Sequence, residues 1–435
     1  MKKIPNLVYA DENGNVFDEP TVWMAGRSGF DVVALSADDF IELPEGSDFY
    51  FLPDRNPIGF SKETGEPVVV KKGIAVAVQM APAHTMLYQA AFNKNENATT
   101  LPLFAYTAVG FMDGKYYVPA VRIDADIRQE PKSFDQEKVK QSVEKWTKKF
   151  PENKLLEHIG RNCALTYFCP AARNFFLNRY EAPIPSSPAC NANCIGCISF
   201  QPENEIISST QDRLTFKPSV KEIVEYTVEH LNTAPRPLVS FGQGCEGEPL
   251  LMWETIRDSI REIRKQTQNG SINVNTNGSL PKAVEELCKA GLNSIRVSTN
   301  SVRKEIYDAY YLPNNYKFEA LAESVKTVRK YGGWASLNYF VFPGMTDDER
   351  EYEALRKFIR DTDLSMIQWR NFNIDPDWYL EKIGVTETGK MIGVKNMMQL
   401  IQEEFPNLVY GYFNPPMEKI SEVARQKYED TRQKI

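Results

Sequence analysis

Three cysteines, Cys190, Cys194 and Cys197, stand in the run Pro188-Ala-Cys-Asn-Ala-Asn-Cys-Ile-Gly-Cys197. Thiolates at this C-x3-C-x2-C spacing can wrap one corner of an iron-sulfur cubane, and because there are three of them the fourth iron keeps an open coordination position. An open iron can bind substrate or cofactor. Two simpler chemistries compete with this one. A structural zinc site wants four closed ligands at paired spacings, yet the chain has three histidines, His84, His158 and His230, and none adjoins the run. A disulfide framework suits small secreted chains, whereas here seven cysteines are spread over 435 residues.

Composition narrows the setting. An apolar content of 42% is enough to bury a sizeable core, and the length suggests two or three domains. The formal net charge of -7 argues against a broad nucleic-acid footprint. Lys2 and Lys3 are followed by Asp11, Glu12 and Asn13 rather than by an apolar stretch, and no uninterrupted apolar run approaches the length of a membrane span. The expectation is a chain with neither export signal nor membrane segment, hence cytoplasmic, where a reducing environment keeps thiolates free.

The elements that must carry the cysteines follow from the rhythm of the chain. Residues 1–130 are rich in aromatic and β-branched residues broken by turn signals such as Asn13-Gly14 and Asp113-Gly114. Pro67 to Val70, Ile74 to Val78 and Lys115 to Ile123 read as short strands, which makes this a β-rich N-terminal domain of unknown role. Residues 131–181 read as a helical linker, with Ser133 as the N-cap of a helix running to Lys149. Strand and helix then alternate over 182–379, the pattern of a parallel sheet covered by helices. The expected strands are Ala182 to Ser187, Pro237 to Phe241, Ser271 to Thr276, Ser294 to Thr299, Ala335 to Phe342 and Ser365 to Phe372. The expected helices are Ser219 to Asn232, Trp253 to Gln268, Pro281 to Ala290, Phe318 to Tyr331 and Asp347 to Asp361, with Thr346 or Asp347 capping the last. Residues 380–435 read as a small α/β C-terminal appendage: an apolar helix around Lys395 to Glu404, a strand over Asn407 to Phe413 and a charged helix from Glu418.

In a parallel barrel the chemistry collects where the strands end. After the second strand comes Phe241-Gly-Gln-Gly-Cys-Glu-Gly-Glu-Pro249, where glycine permits close backbone approach and a carboxylate suits an ammonium group. A phosphate loop is the rival reading, but no Lys-Ser/Thr pair is present. The third strand ends in Asn275-Thr-Asn-Gly278 and the fourth in Val297-Ser-Thr-Asn300; the sixth carries Gln368, Arg370 and Asn373 near the last opening. Each has a plain structural reading too: a tight turn, a strand serine bonded to backbone, satisfied interior polar groups.

Taken together in this order, these motifs resemble the radical S-adenosylmethionine (SAM) superfamily over about residues 182–375. The resemblance implies an α/β fold, a partial (β/α)6 barrel, with one [4Fe-4S] cluster on Cys190, Cys194 and Cys197. It implies that the open iron chelates SAM, whose reductive cleavage gives a 5'-deoxyadenosyl radical that abstracts hydrogen from a substrate. Gly247 and Glu248 match the Gly-Glu-Pro segment that grips the methionyl amino group, with Glu246 where the family has glycine. Thr276 and Asn277 match a Thr-Asn-Gly run, and Ser298 falls where a serine contacts SAM in some branches; Asn300 replaces an aspartate. Gly196 stands where an aromatic residue often packs on adenine. The implied partners are SAM, an unidentified small molecule or peptide, and a reductant such as flavodoxin or ferredoxin, and the reaction class (oxidoreductase, transferase or lyase) stays open. The alternatives are a non-catalytic iron-sulfur binding or sensing protein on the same barrel and a zinc-stabilised scaffold. Outside the triplet, Cys163, Cys169 and Cys245 could converge on a second site, and no cysteine lies in 380–435 to hold an auxiliary cluster.

Overall fold

The computed structural model describes residues 4–202 and 206–421. Its centre is a parallel sheet of seven strands in sequence order: β1 (Glu181–Ile184), β2 (Leu238–Phe241), β3 (Ser271–Thr276), β4 (Ser294–Thr299), β5 (Trp334–Val341), β6 (Met366–Asn371) and β7 (Val409–Gly411). The covering helices are α1 (Val220–Thr233), α2 (Trp253–Gln266), α3 (Pro281–Ala290), α4 (Lys304–Tyr311), α5 (Glu319–Lys330), α6 (Glu349–Thr362), α7 (Pro376–Lys382) and α8 (Val394–Glu404).

Strand alternation divides the sheet into two faces. Ile272, Val274, Ile295, Val297, Leu337, Tyr339, Ile367 and Trp369 are buried in one large apolar cluster with the helices. The intervening positions are polar and meet one another on the concave face. Ser294 Oγ donates to Asn273 Oδ1 at 2.7 Å, Asn273 Nδ2 to Asn275 Oδ1 at 2.8 Å, Asn338 Nδ2 to Ser298 Oγ at 3.1 Å and Arg296 Nη1 to Gln368 Oε1 at 3.3 Å. A buried polar face of this kind persists only when its groups are paired or aimed at a ligand.

The sheet has one strand more than the six expected, because the strand placed in the appendage pairs in parallel with β6, Met366 opposite Val409. The chain after β7 then returns across the open side. Asn414 Nδ2 donates to Glu181 Oε1 on β1 at 2.9 Å and Gln368 Nε2 on β6 reaches Asn414 Oδ1 at 3.3 Å, so side chains rather than a strand pair bridge the two edges. Among the described residues no strand pairing closes the sheet into a barrel.

Other expectations shift by a residue or two. The linker helix is Gln136–Lys149 and its cap is Asp135, not Ser133, because the Asp135 carboxylate accepts from Lys138 N. Asp348 rather than Thr346 or Asp347 caps α6, accepting from Arg350 N. Helices α4 and α7 were not anticipated; both are eight residues or shorter. Of the charged terminal helix expected from Glu418, residues 422–435 lie outside the described residues.

The N-terminal part is an antiparallel sheet of thirteen strands that docks on the end of β6. Thr85 Oγ1 donates to Trp369 O at 2.9 Å, and Asn371 pairs with Met86 N and His84 O at 2.8 and 3.0 Å. Arg55 and Asp375, both with fully buried side chains, form an ion pair at 3.3 Å. Asp375 also accepts from Leu101 N at 2.7 Å and caps α7. Removing one partner of a buried pair leaves an uncompensated charge. Asp375→Ala is therefore expected to cost about 3 kcal/mol, read as a lower urea midpoint at unchanged slope; an unchanged midpoint would show that the contact does not hold the two parts together.

Candidate functional site

The concave face opens into a cavity of about 440 Å³ at the C-terminal ends of the strands. Cys190, Cys194, Cys197, Gly247, Glu248, Thr276, Asn277 and Ser298 all line it. So do Arg370 and Asn373, and from the N-terminal sheet Gln79, Met80 and Ala105. Every residue singled out from sequence for cluster or cofactor thus faces one space.

Two loops make its floor. The cysteine loop follows β1, and the glycine-rich turn follows β2 with Gly242 at φ +79°. They run against each other as backbone: Gly247 N donates to Ser187 O at 2.7 Å and Glu248 N to Ala189 O at 2.8 Å. A Cβ on Gly247 would fall 2.0 Å from Ala189 O, so only glycine fits at this crossing. Glu246, which departs from the family pattern, is the clamp. Its Oε2 accepts from Ser186 N, Ser187 N and Ser186 Oγ at 2.7, 2.8 and 2.9 Å, and its Oε1 accepts from Gln243 N at 2.6 Å.

Glu248 does similar work one step on. It accepts from Leu250 N at 2.9 Å, from Asn277 N at 2.8 Å and from Thr276 Oγ1, joining the turn to the end of β3. Burial pushes both carboxyls up to about 7, against the N–H groups that pull them down. Asn277 Nδ2 reaches Asn191 Oδ1 at 2.8 Å and Asn191 Nδ2 reaches Ser279 Oγ at 2.9 Å, so the Thr-Asn-Gly run holds the cysteine loop from its other side.

The end of α4 completes the cradle. Asn193 N and Ile195 N donate to Tyr311 O and Tyr310 O, each at 3.0 Å. A Cβ on Gly196 would lie 3.0 Å from Tyr310 Oη: the missing aromatic at position 196 makes room for Tyr310. Tyr310, Tyr311, Phe340 and Phe372 supply the apolar wall, and sequence reading missed them because each also reads as ordinary core. Asn300 does not reach the cavity; it is buried and donates to Tyr379 Oη at 3.0 Å.

The thiols are held in a low-dielectric setting. Burial, with the Glu248 charge next, pushes Cys190 up to about 11, and burial pushes Cys194 well above its ordinary value. Arg213 Nη2 donates to Cys197 Sγ at 3.3 Å. Among the described residues, the set of three ligand atoms lying within 4.8 Å of one another is His158, Cys163 and Cys245.

Residues 184–355, from β1 through much of α6, match the family model described as the Radical SAM superfamily. That stretch, under half of the chain, resembles a radical SAM domain. Enzymes of this superfamily bind a [4Fe-4S] cluster and SAM. The chain is 34% identical over 106 residues to a probable GTP 3',8-cyclase of Thermococcus kodakarensis, an overlap of 24% of this chain and 32% of that protein. It thus spans about a third of that relative's length. Among solved structures, Streptococcus suis SuiB bound to S-adenosylmethionine is similar at 13% identity and TM-score 0.37, over 74% of this chain and 72% of that one. Methylornithine synthase is similar at 13% identity and TM-score 0.38, over 64% and 75%.

No helix among the described residues is long and apolar enough to cross a membrane. At this site the crossing at Gly247 leaves no room for a side chain. Gly247→Ala should cost about 2 kcal/mol through overpacking against Ala189 and should speed maleimide labelling of the 190/194/197 thiols in the metal-free protein. Unchanged labelling together with unchanged stability would mean that the two loops do not depend on each other.

Proposed function

We propose that this protein is a radical SAM enzyme in which Cys190, Cys194 and Cys197 hold a [4Fe-4S] cluster and Gly247, Glu248, Thr276, Asn277 and Ser298 form the SAM subsite. The observation that carries the reading is the convergence of all eight residues on one cavity, reached from four separate strand ends. When bound, the cluster supplies the electron that cleaves SAM. The chain's own residues bind, orient and exclude water. The Glu248 carboxylate, poised near neutrality by burial, would ionise fully beside an ammonium group. The backbone rims of the glycine-rich turn let a ligand approach closely, and the Tyr310, Phe340 and Phe372 rings keep the space dry. A non-catalytic iron-sulfur protein would need the thiols alone, so the shared cavity favours the enzyme.

Anaerobic reconstitution with iron and sulfide, followed by SAM and a reductant, is expected to release 5'-deoxyadenosine, and Cys194→Ala to bring release down to the no-enzyme background. A fully reconstituted cluster that binds SAM but never cleaves it would sink the reading.

The substrate end has its own character. Arg296 and Arg370 line the cavity, with Gln368 Oε1 accepting from both at 3.3 and 3.2 Å. Arg370 Nη2 also donates to Tyr412 O at 2.5 Å, and its guanidinium lies 3.6 Å from the Tyr412 ring centre. Both Nε atoms are buried without a partner, and among the described residues neither arginine forms an ion pair. Burial, and then repulsion from Arg370, brings Arg296 down to about 9. Two unpaired guanidiniums on a cavity wall suit an anionic group such as a carboxylate or phosphate, and the N-terminal Gln79, Met80 and Ala105 would face the rest of that substrate. Inorganic pyrophosphate should bind the full chain, with Arg370→Met weakening it about tenfold, the size of one lost charge-assisted hydrogen bond, while SAM affinity stays unchanged. A loss of SAM affinity instead would assign the arginines to the cofactor.

A further inference from the structure

A second cluster of metal-ligating side chains lies behind the glycine-rich turn, outside the cavity. Cys163 and Cys245 are 3% and 4% exposed, and their sulfurs stand 3.5 Å apart. His158 presents a ring nitrogen within 4.8 Å of both, and its Nε2 is buried with no hydrogen-bond partner. Cys169, the third cysteine expected near here, is close enough to Cys245 to interact with it, but its thiol faces the backbone N–H groups of Ala172 and Ala171 at the start of the next helix and is not among these three ligand atoms. Histidine takes its place.

The local backbone explains how residues five apart can share a site. His158 ends the helix Lys154–His158, and Ile159–Thr166 continues it as a π-helix. At 3.6 residues per turn, positions i and i+5 diverge around the axis. The wider i→i+5 turn brings them back to one face, and such turns gather at functional sites. The opposite wall is supplied by Cys245, one residue before the Glu246 clamp. The imidazole and the two thiols thus face one another across a space in which their polar partners are each other.

We propose that His158, Cys163 and Cys245 form a metal site for a borderline-soft divalent cation of the zinc class. Two thiolates and an imidazole are the donor set such ions select, whereas hard cations take oxygen ligands. Tetrahedral geometry places two zinc-bound thiolates about 3.8 Å apart, so the sulfurs need to separate only slightly. Binding releases both thiol protons to solvent, and the dication with two thiolates is neutral, which suits a buried position. The remaining imidazole nitrogen, Nδ1, lies 3.4 Å from the Asn162 side-chain amide; with that amide turned, its oxygen accepts the Nδ1–H and fixes the tautomer. Water completes the coordination. The ion would bolt the linker to the turn that carries Glu246 and Glu248, so it acts on the cavity through the floor rather than as a reacting group.

The test is a cobalt(II) titration of the full chain in the Cys190→Ala, Cys194→Ala, Cys197→Ala background, which removes iron from the readout and keeps the outcome separate from that of the cluster. Thiolate-to-cobalt charge transfer and tetrahedral d–d bands are expected to saturate at about one equivalent and to bleach when zinc is added, and zinc should raise the melting temperature. Adding Cys163→Ser or Cys245→Ser should remove the bands. Their absence in the folded parent, or their survival in the Cys163→Ser, Cys245→Ser double variant, would overturn the proposal. So would a Cys163–Cys245 disulfide found by mass spectrometry in protein purified anaerobically, since that would make the pair a redox couple.

Discussion

The site depends on one backbone crossing. Gly247 and Glu248 donate to Ser187 and Ala189, which means that the glycine-rich turn and the cysteine loop set each other's position atom by atom. The crossing tolerates no Cβ, and the clamp beside it is a fully buried carboxylate with four donors on it. Such a carboxylate is stable only while all its donors are in place. The two loops therefore order together or not at all, and the three thiols inherit their arrangement from a neighbour more than fifty residues on.

The rest of the fold serves that crossing at increasing distance. The parallel ladder delivers β1 and β2 as neighbours, Ile184 opposite Phe241, so the loops that follow them start side by side. From the middle of the sheet, α4 offers the carbonyls of Tyr310 and Tyr311 to the cysteine loop. The N-terminal sheet closes the mouth through polar contacts with β6 and the segment after it. The interior is lined with amides, hydroxyls and guanidiniums that mostly satisfy one another, so the exceptions at Arg296 Nε and Arg370 Nε stand out as unspent hydrogen-bonding capacity.

What could be read from the sequence follows from range. The strands β3 and β4 and the helix α3 are legible to the residue because apolar period, a proline start and a glycine stop agree locally. The cysteines and the Gly-Glu-Pro turn were legible because their spacing is itself the chemistry. The seventh strand lies within the stretch expected for it, but its pairing with β6 is not legible because three residues, Val409–Gly411, carry no signal about which edge they will join. Glu246 looked like a departure from pattern; its meaning as a clamp exists only across the gap to Ser186 and Ser187. His158 is not legible as a partner of Cys163 because the π-helix that brings the two level has no recognisable local signature. Tyr310 was invisible for a related reason: the glycine at 196 records a ring that belongs to another part of the chain.

Electrostatics gives the cavity a direction. At the floor, Cys190, Cys194 and Glu248 are all shifted by burial toward their neutral, protonated forms. On the wall, Arg296 is shifted the opposite way by the same burial and by Arg370. Under the proposed function each end would be relieved by a ligand of the complementary sign: a metal cluster and an ammonium group at the floor, an anion at the wall. A molecule that satisfied only one end would leave the other desolvated and unpaired. Under the proposed function this opposition would align cofactor and substrate along one axis before any chemistry occurs, and orientation of that kind is among the largest contributions a binding site can make to a reaction between two bound partners.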